Sequence, residues 1–129
     1  MSTINEVLIA VIGLINELSP YATATIGALP ADNGISCYIA TGSPETTFMT
    51  KGMAYQMTVT LNGKHTNQQT VSDTLNNIHK SLTQKKSYPQ TDDYQITDIG
   101  TVSSPNYIER DANRQYLYGS ALQIKFFLK

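Results

Sequence analysis

The chain has 129 residues, with 9 Lys plus Arg against 10 Asp plus Glu, and only 15% of its residues are charged, well under the ~25% usual for a soluble domain. The deficit is filled by 16 Thr, 10 Ser, 9 Asn and 8 Gln, a third of the chain. A net charge of −1 argues against a phosphate-neutralising nucleic-acid binder and a polybasic membrane anchor, while 40% hydrophobic residues argue against disorder.

The length favours one domain. Ile4, Val7, Leu8, Val11, Ile15 and Leu18 fall at helical spacing and predict a helix over residues 4–18. Ser2 or Thr3 would cap it, with Glu6 completing a capping box after Thr3, and Pro20 would end it. Ile12 and Leu14 widen its apolar surface beyond one stripe, so it is covered on more than one side or borders a subunit contact. The apolar run Val7–Ile15 is too short to span a bilayer. No Lys or Arg precedes it as a signal peptide requires. An intracellular chain without cleavage is expected.

Residues 22–28 and 35–40 alternate in hydropathy, and Asn33-Gly34 between them predicts a hairpin with a longish loop. Residues 41–52 carry Gly42, Pro44 and Gly52 and read as a loop. Tyr55, Met57, Val59 and Leu61 alternate with Gln56, Thr58 and Thr60, predicting a strand with one polar face that stops at Asn62-Gly63. Val71, Leu75, Ile78 and Leu82 predict a second helix over about 67–84, capped by Thr66 with Gln69 or by Thr70 with Asp73. Lys80, Lys85 and Lys86 lie near its C-terminal end, where they suit the helix dipole.

Residues 94–102 predict a strand whose alternation breaks between Ile96 and Ile99, as a bulge would cause. Residues 104–114 read as a polar connector holding both arginines, Arg110 and Arg114. Residues 116–128 alternate cleanly over 13 positions, a length that places the strand centrally or projecting past the sheet. The order α-β-β-β-α-β-β predicts a single α+β domain, a mostly antiparallel sheet with two helices packed on one face.

Motifs for chemistry are sparse. Cys37 stands alone and reads as a small buried strand residue. His65 and His79 do not form a zinc pattern with it, and no phosphate-loop, dinucleotide, zincin or nucleophile-elbow motif occurs. No cofactor and no catalytic residue is expected. The nearest approach to a polar catalytic cluster is His65 with Asp73 or Asp111, and no nucleophile aligns with them.

The segment Leu29–Lys64, LPADNGISCYIATGSPETTFMTKGMAYQMTVTLNGK, resembles the minor capsid protein family encoded by tailed phages and prophages of Gram-positive bacteria. The matching features are the Leu-Pro and Gly-ended turn, the short apolar strand, the Lys-Gly and the alternating strand ending at Asn-Gly-Lys. Pro105-Asn106-Tyr107-Ile108-Glu109-Arg110-Asp111 followed by Tyr116-Leu117-Tyr118 also looks like that family, and the likeness covers nearly the whole chain. The element order is similar to the tail-terminator and head-to-tail joining proteins of long-tailed phages. The resemblance implies a non-enzymatic virion protein at the neck end of the tail, assembled in the cytoplasm of a bacterial host. It would form a ring of its own copies, often a hexamer, with tail-tube and head-completion proteins as partners. No membrane and no sequence-specific nucleic acid is implied.

A closed ring needs two different, complementary patches on each copy. Candidate interface residues are Phe48, Met49 and Lys51 in the loop after residue 40, and Tyr107, Ile108, Arg110 and Arg114 in the connector, an aromatic and arginine mixture found at interface hot spots. The plainer reading has Phe48 and Met49 buried beneath their own loop, and the connector is equally read as solvated. Lys51, Lys64, Lys85 and Lys86 are the residues that would line a DNA-passing lumen. Two other expectations stay open: a head-completion or capsid-decorating protein, and a small hydrolytic or ligand-binding α+β domain.

Overall fold

A computed structural model describes residues 3–47 and 53–129. Its elements are helix α1 (Thr3–Asn16), strands β1 (Ala24–Ile26), β2 (Gly34–Thr47) and β3 (Met53–His65), helix α2 (Gln68–Thr83), and strands β4 (Tyr94–Arg110) and β5 (Tyr116–Leu128). The sheet order is β1-β2-β3-β5-β4. Every pairing is antiparallel except β1 with β2. The expected α+β class and element order hold, and the long strand β5 lies in the sheet interior.

One hydrophobic core joins the helices to one face of the sheet. Val7, Leu8, Val11 and Ile15 of α1 and Val71, Leu75, Ile78 and Leu82 of α2 bury against Ile35, Cys37, Met57, Val59, Leu61, Leu122, Ile124 and Phe126. The second apolar flank of α1 is consumed within the chain too, since Ile12 and Leu14 are also buried. α1 begins with Thr3 as its first helical residue, and Ser2 lies outside the described residues. It ends at Asn16, short of the expected residue 18. Asn16 side-chain oxygen accepts from Ala24 N at 2.8 Å, which ties the helix end to β1. Leu18 and Ser19 continue only as a tightened turn, with Ser19 at φ 52°.

Further local expectations are corrected. β1 and β2 are parallel, Ala24 facing Ile35 and Ile26 facing Cys37, and are not a hairpin. A parallel return normally needs a crossover of a dozen or more residues, but a three-residue strand rises only ~10 Å, so residues 27–33 suffice. Gly27 at φ 94° and Asn33 at φ 24° turn the chain, and Gly27 N donates to Cys37 O. β2 runs on through residues 41–47, which were expected as loop, with register shifts at Ile39/Thr41 and Pro44/Thr46 absorbing the breaks in pattern. β3 passes through Asn62-Gly63 to His65. Gly63 serves close approach there rather than a turn, since a Cβ would sit 3.0 Å from Tyr21 Oη and 3.1 Å from Val71 Cγ2. The N-cap of α2 is Asn67, whose side-chain oxygen accepts from Thr70 N at 3.1 Å, and neither expected threonine cap is used. Asparagine ranks above threonine as an N-cap, and this start sets Val71, Leu75, Ile78 and Leu82 inward.

The bulge expected near Ile96 is present as a register shift between Ile96 and Asp98. β4 then continues to Arg110, so most of the expected polar connector is strand. Cys37 is fully buried, and burial pushes its thiol up to about 12. Among the described residues no helix is long and apolar enough to cross a membrane.

Candidate assembly surface

The turn joining β4 to β5 is built around Asp111. One carboxylate oxygen accepts from Asn113 N and Gln115 N, both at 2.9 Å, and the other lies 3.4 Å from Lys64 Nζ. Arg114 takes the left-handed conformation, φ 61°, with its N–H on Asp111 O. The Gln115 and Asn113 amides, with the Lys64 ammonium, hold the Asp111 carboxyl below the usual carboxylate range. Buried Gln115 accepts from Asn33 N through its side-chain oxygen at 2.8 Å, and Asn33 Oδ1 accepts from Thr66 N at 3.3 Å. Loop 27–33, the β3 end and the β4–β5 turn are therefore cross-linked at one end of the sheet. The side chains involved are short and uncharged apart from the Lys64–Asp111 pair, which accounts for part of the Asn and Gln surplus.

From this fixed turn the distal half of β4 runs back along the sheet edge. Residues 101–110 are exposed on both faces apart from partly covered Pro105. On the helix side, Tyr107 lies 5.9 Å from the Tyr118 ring and 6.5 Å from the Tyr116 ring, centroid to centroid. The Arg110 guanidinium sits 5.3 Å over Tyr116, a cation–π distance. Tyr118 Oη accepts from Gln68 Nε2 at 2.8 Å, which fastens the cluster to the first residue of α2. Beside it lies a hollow of about 510 Å³ lined by Thr66, Asn67, Gln68, Gln69, Ser72, Tyr116 and Tyr118. Ile108 sits at a further register shift, Tyr107/Glu109, and overlies Gly119: a Cβ there would come within 2.7 Å of Ile108 Cδ1.

Tyr107 and Arg110 are thus brought together, Ile108 lies over Gly119, and Arg114 holds the turn. Phe48, Met49 and Lys51 lie outside the described residues. Sequence reasoning missed Tyr116 and Tyr118 as members of the surface because their alternation marked them only as positions on one side of a regular strand. It missed exposed Val102 because the same pattern made it a strand residue with an assumed covered side. Ile26 and Tyr38 are exposed at the opposite side of the sheet.

The other sequence candidates are dispersed. His65 Nδ1 accepts from Asn67 N at 2.9 Å, and its ring meets Tyr21 edge-on at 4.8 Å. Asp111 is committed to its turn. Lys64 is paired near the start of α2, whereas Lys85 and Lys86 line a separate hollow of about 430 Å³ past its other end. A helix of 16 residues separates them by ~24 Å. Among the described residues no group of three or more His, Cys, Asp or Glu is placed to hold a metal ion.

No protein-family model matches the chain, and no curated protein matches it. Among solved structures it is similar to a chain of the "Virion of native gene transfer agent (GTA) particle", with a TM-score of 0.57 and 8% identity over 90% of this chain and 83% of that one. At that identity the likeness is one of fold, and the fold spans nearly the whole of both chains.

Proposed function

We propose that this chain is a non-enzymatic structural subunit of a phage or prophage virion, a tail-terminator or head-to-tail joining protein that assembles as a ring at the neck end of the tail. The observation that carries the reading is the fold shared with a chain of a gene transfer agent virion particle. The resemblance of segments 29–64 and 105–118 to phage minor capsid proteins agrees with it. The surface supports it as well. Exposed Tyr107 and Arg110, stacked on Tyr116 and Tyr118 along an edge strand, suit a protein partner better than a small substrate. The polar residues of the uncovered sheet face, such as Gln56, Thr58, Thr60 and Gln123, are uncharged and cheaper to desolvate than charges.

Position in the particle is tested by gold-labelled antibody against this chain on assembled virions. Label at the junction of head and tail is expected. Label spread over the shell would favour a capsid-decorating protein instead, and absence of label from purified particles would overturn a virion role.

A further inference from the structure

The sheet ends in two long edges that are only partly covered. On one side β1 covers β2 over Ile35–Cys37, with Gly27 N on Cys37 O. From residue 38 to 47 the outer edge of β2 has no main-chain partner among the described residues. On the other side Pro89 O accepts from Ile96 N and Gln90 bridges Gln95. From residue 97 to 110 the outer edge of β4 has no main-chain partner among the described residues, although Ser104 O accepts from Asn106 Nδ2 at 3.0 Å and the Tyr88 hydroxyl engages the Ile99 main chain. An uncovered edge presents rows of unpaired N–H and C=O groups and templates strand addition. Apolar side chains accompany both edges: Ile26 (57% exposed) and Tyr38 at the first, and Val102 (56% exposed), Tyr107 and Ile108 at the second.

We infer that these two edges are the two halves of one interface, at which β4 of one copy adds to β2 of the next and continues the sheet from copy to copy. The inference rests on the ring reading and names its surfaces. Strand direction favours it. β3 is antiparallel to β2, β5 to β3, and β4 to β5, so β4 opposes β2. A copy rotated about an axis along the strands therefore meets its neighbour in the antiparallel sense, the more stable ladder. Two different edges make the contact heterologous, and a heterologous contact with the right rotation closes into a ring. The four register shifts of β4 against β5 bend and twist the edge. They blunt pairing with an arbitrary flat strand and curve the sheet, as closure requires. A β4-to-β4 pair would instead form a closed dimer and leave the β2 edge bare.

The test uses two charge-bearing variants of the full chain. V102K/I108K blocks the β4 edge, and I26K/Y38K blocks the β2 side, since lysine on an edge is an effective barrier to pairing. All four positions are exposed, and far-UV circular dichroism with thermal melting checks that each variant folds. Sedimentation velocity then follows association over a concentration series. Wild-type chain is expected to form closed oligomers, with each variant weakened by about tenfold or more. An equimolar mixture of the two variants retains one intact pair of edges and is expected to stop at dimers. Amide exchange is expected to slow at residues 97–110 and 38–47 together on assembly. Wild-type oligomers that both variants still form would overturn the edge pairing and leave the ring reading standing. Dimers from I26K/Y38K alone, with none gained in the mixture, would mean β4-to-β4 pairing and would also overturn it. A wild-type chain monomeric at every concentration would overturn both.

Discussion

His79 is 5% exposed, with Nδ1 2.9 Å from Thr101 Oγ1 and Nε2 buried without a hydrogen-bond partner among the described residues. Burial lowers its pKa below the ordinary 6.5 because a charged imidazolium loses its hydration there. The unfolded chain takes up a proton near pH 6.5, whereas the folded chain resists until lower pH. Below 6.5 the unfolded state therefore binds more protons, and stability falls as pH falls towards the depressed value. The slope from this one group cannot exceed about 1.4 kcal/mol per pH unit. Urea denaturation from pH 7.5 to 5 is expected to show declining stability, and His79→Gln is expected to flatten that decline. An unchanged slope in the variant would assign it elsewhere. At Gly119 a methyl group would meet the flexible end of Ile108 and Asn62 Oδ1 at 3.1 Å. Gly119→Ala is therefore expected to displace Ile108 while the fold survives, visible as a changed Ile108 methyl resonance.

At the level of elements, α2 depends on its cap and its buried stripe. Asn67→Ala removes the acceptor for Thr70 N and is expected to cost about 1 kcal/mol in denaturant unfolding. Leu75→Ala, at a position with no solvent exposure, is expected to cost about 2–5 kcal/mol. The elements legible in the sequence are those with one covered face. β3, β5 and α2 were readable because Met57, Val59 and Leu61, then Leu122, Ile124 and Phe126, then Leu75, Ile78 and Leu82 repeat with the period of their structure. The distal half of β4 was not readable, since a strand exposed on both faces has no reason to alternate, and Ser104-Pro105-Asn106 mimics a turn. The β2 extension was hidden likewise by Gly42 and Pro44 beside its register shifts. The parallel β1–β2 pairing was invisible because Asn33-Gly34 signals a reversal without fixing where the strand returns. Of the candidate surface, Tyr107, Ile108, Arg110 and Arg114 were legible from composition. Their grouping with Tyr116 and Tyr118 needed the hairpin register.

For the whole molecule, the small charge content has a structural counterpart. The sheet face away from the helices is lined largely by Thr, Gln, Asn and small residues, and the end loops are knitted mainly by Asn33, Gln115 and Asn113, with the Lys64–Asp111 ion pair beside them. With few exposed charges to repel neighbouring copies, self-association of the chain should depend only weakly on salt. Sedimentation at low and high ionic strength is expected to give the same oligomer, and dissociation by salt would instead point to an electrostatic interface. Whether this chain closes into a ring, as proposed for a virion subunit, is decided by native mass spectrometry of the purified chain. One closed stoichiometry that persists as concentration rises is expected. A monomer at all concentrations, or an open-ended ladder of sizes with no preferred closure, would rule the ring out.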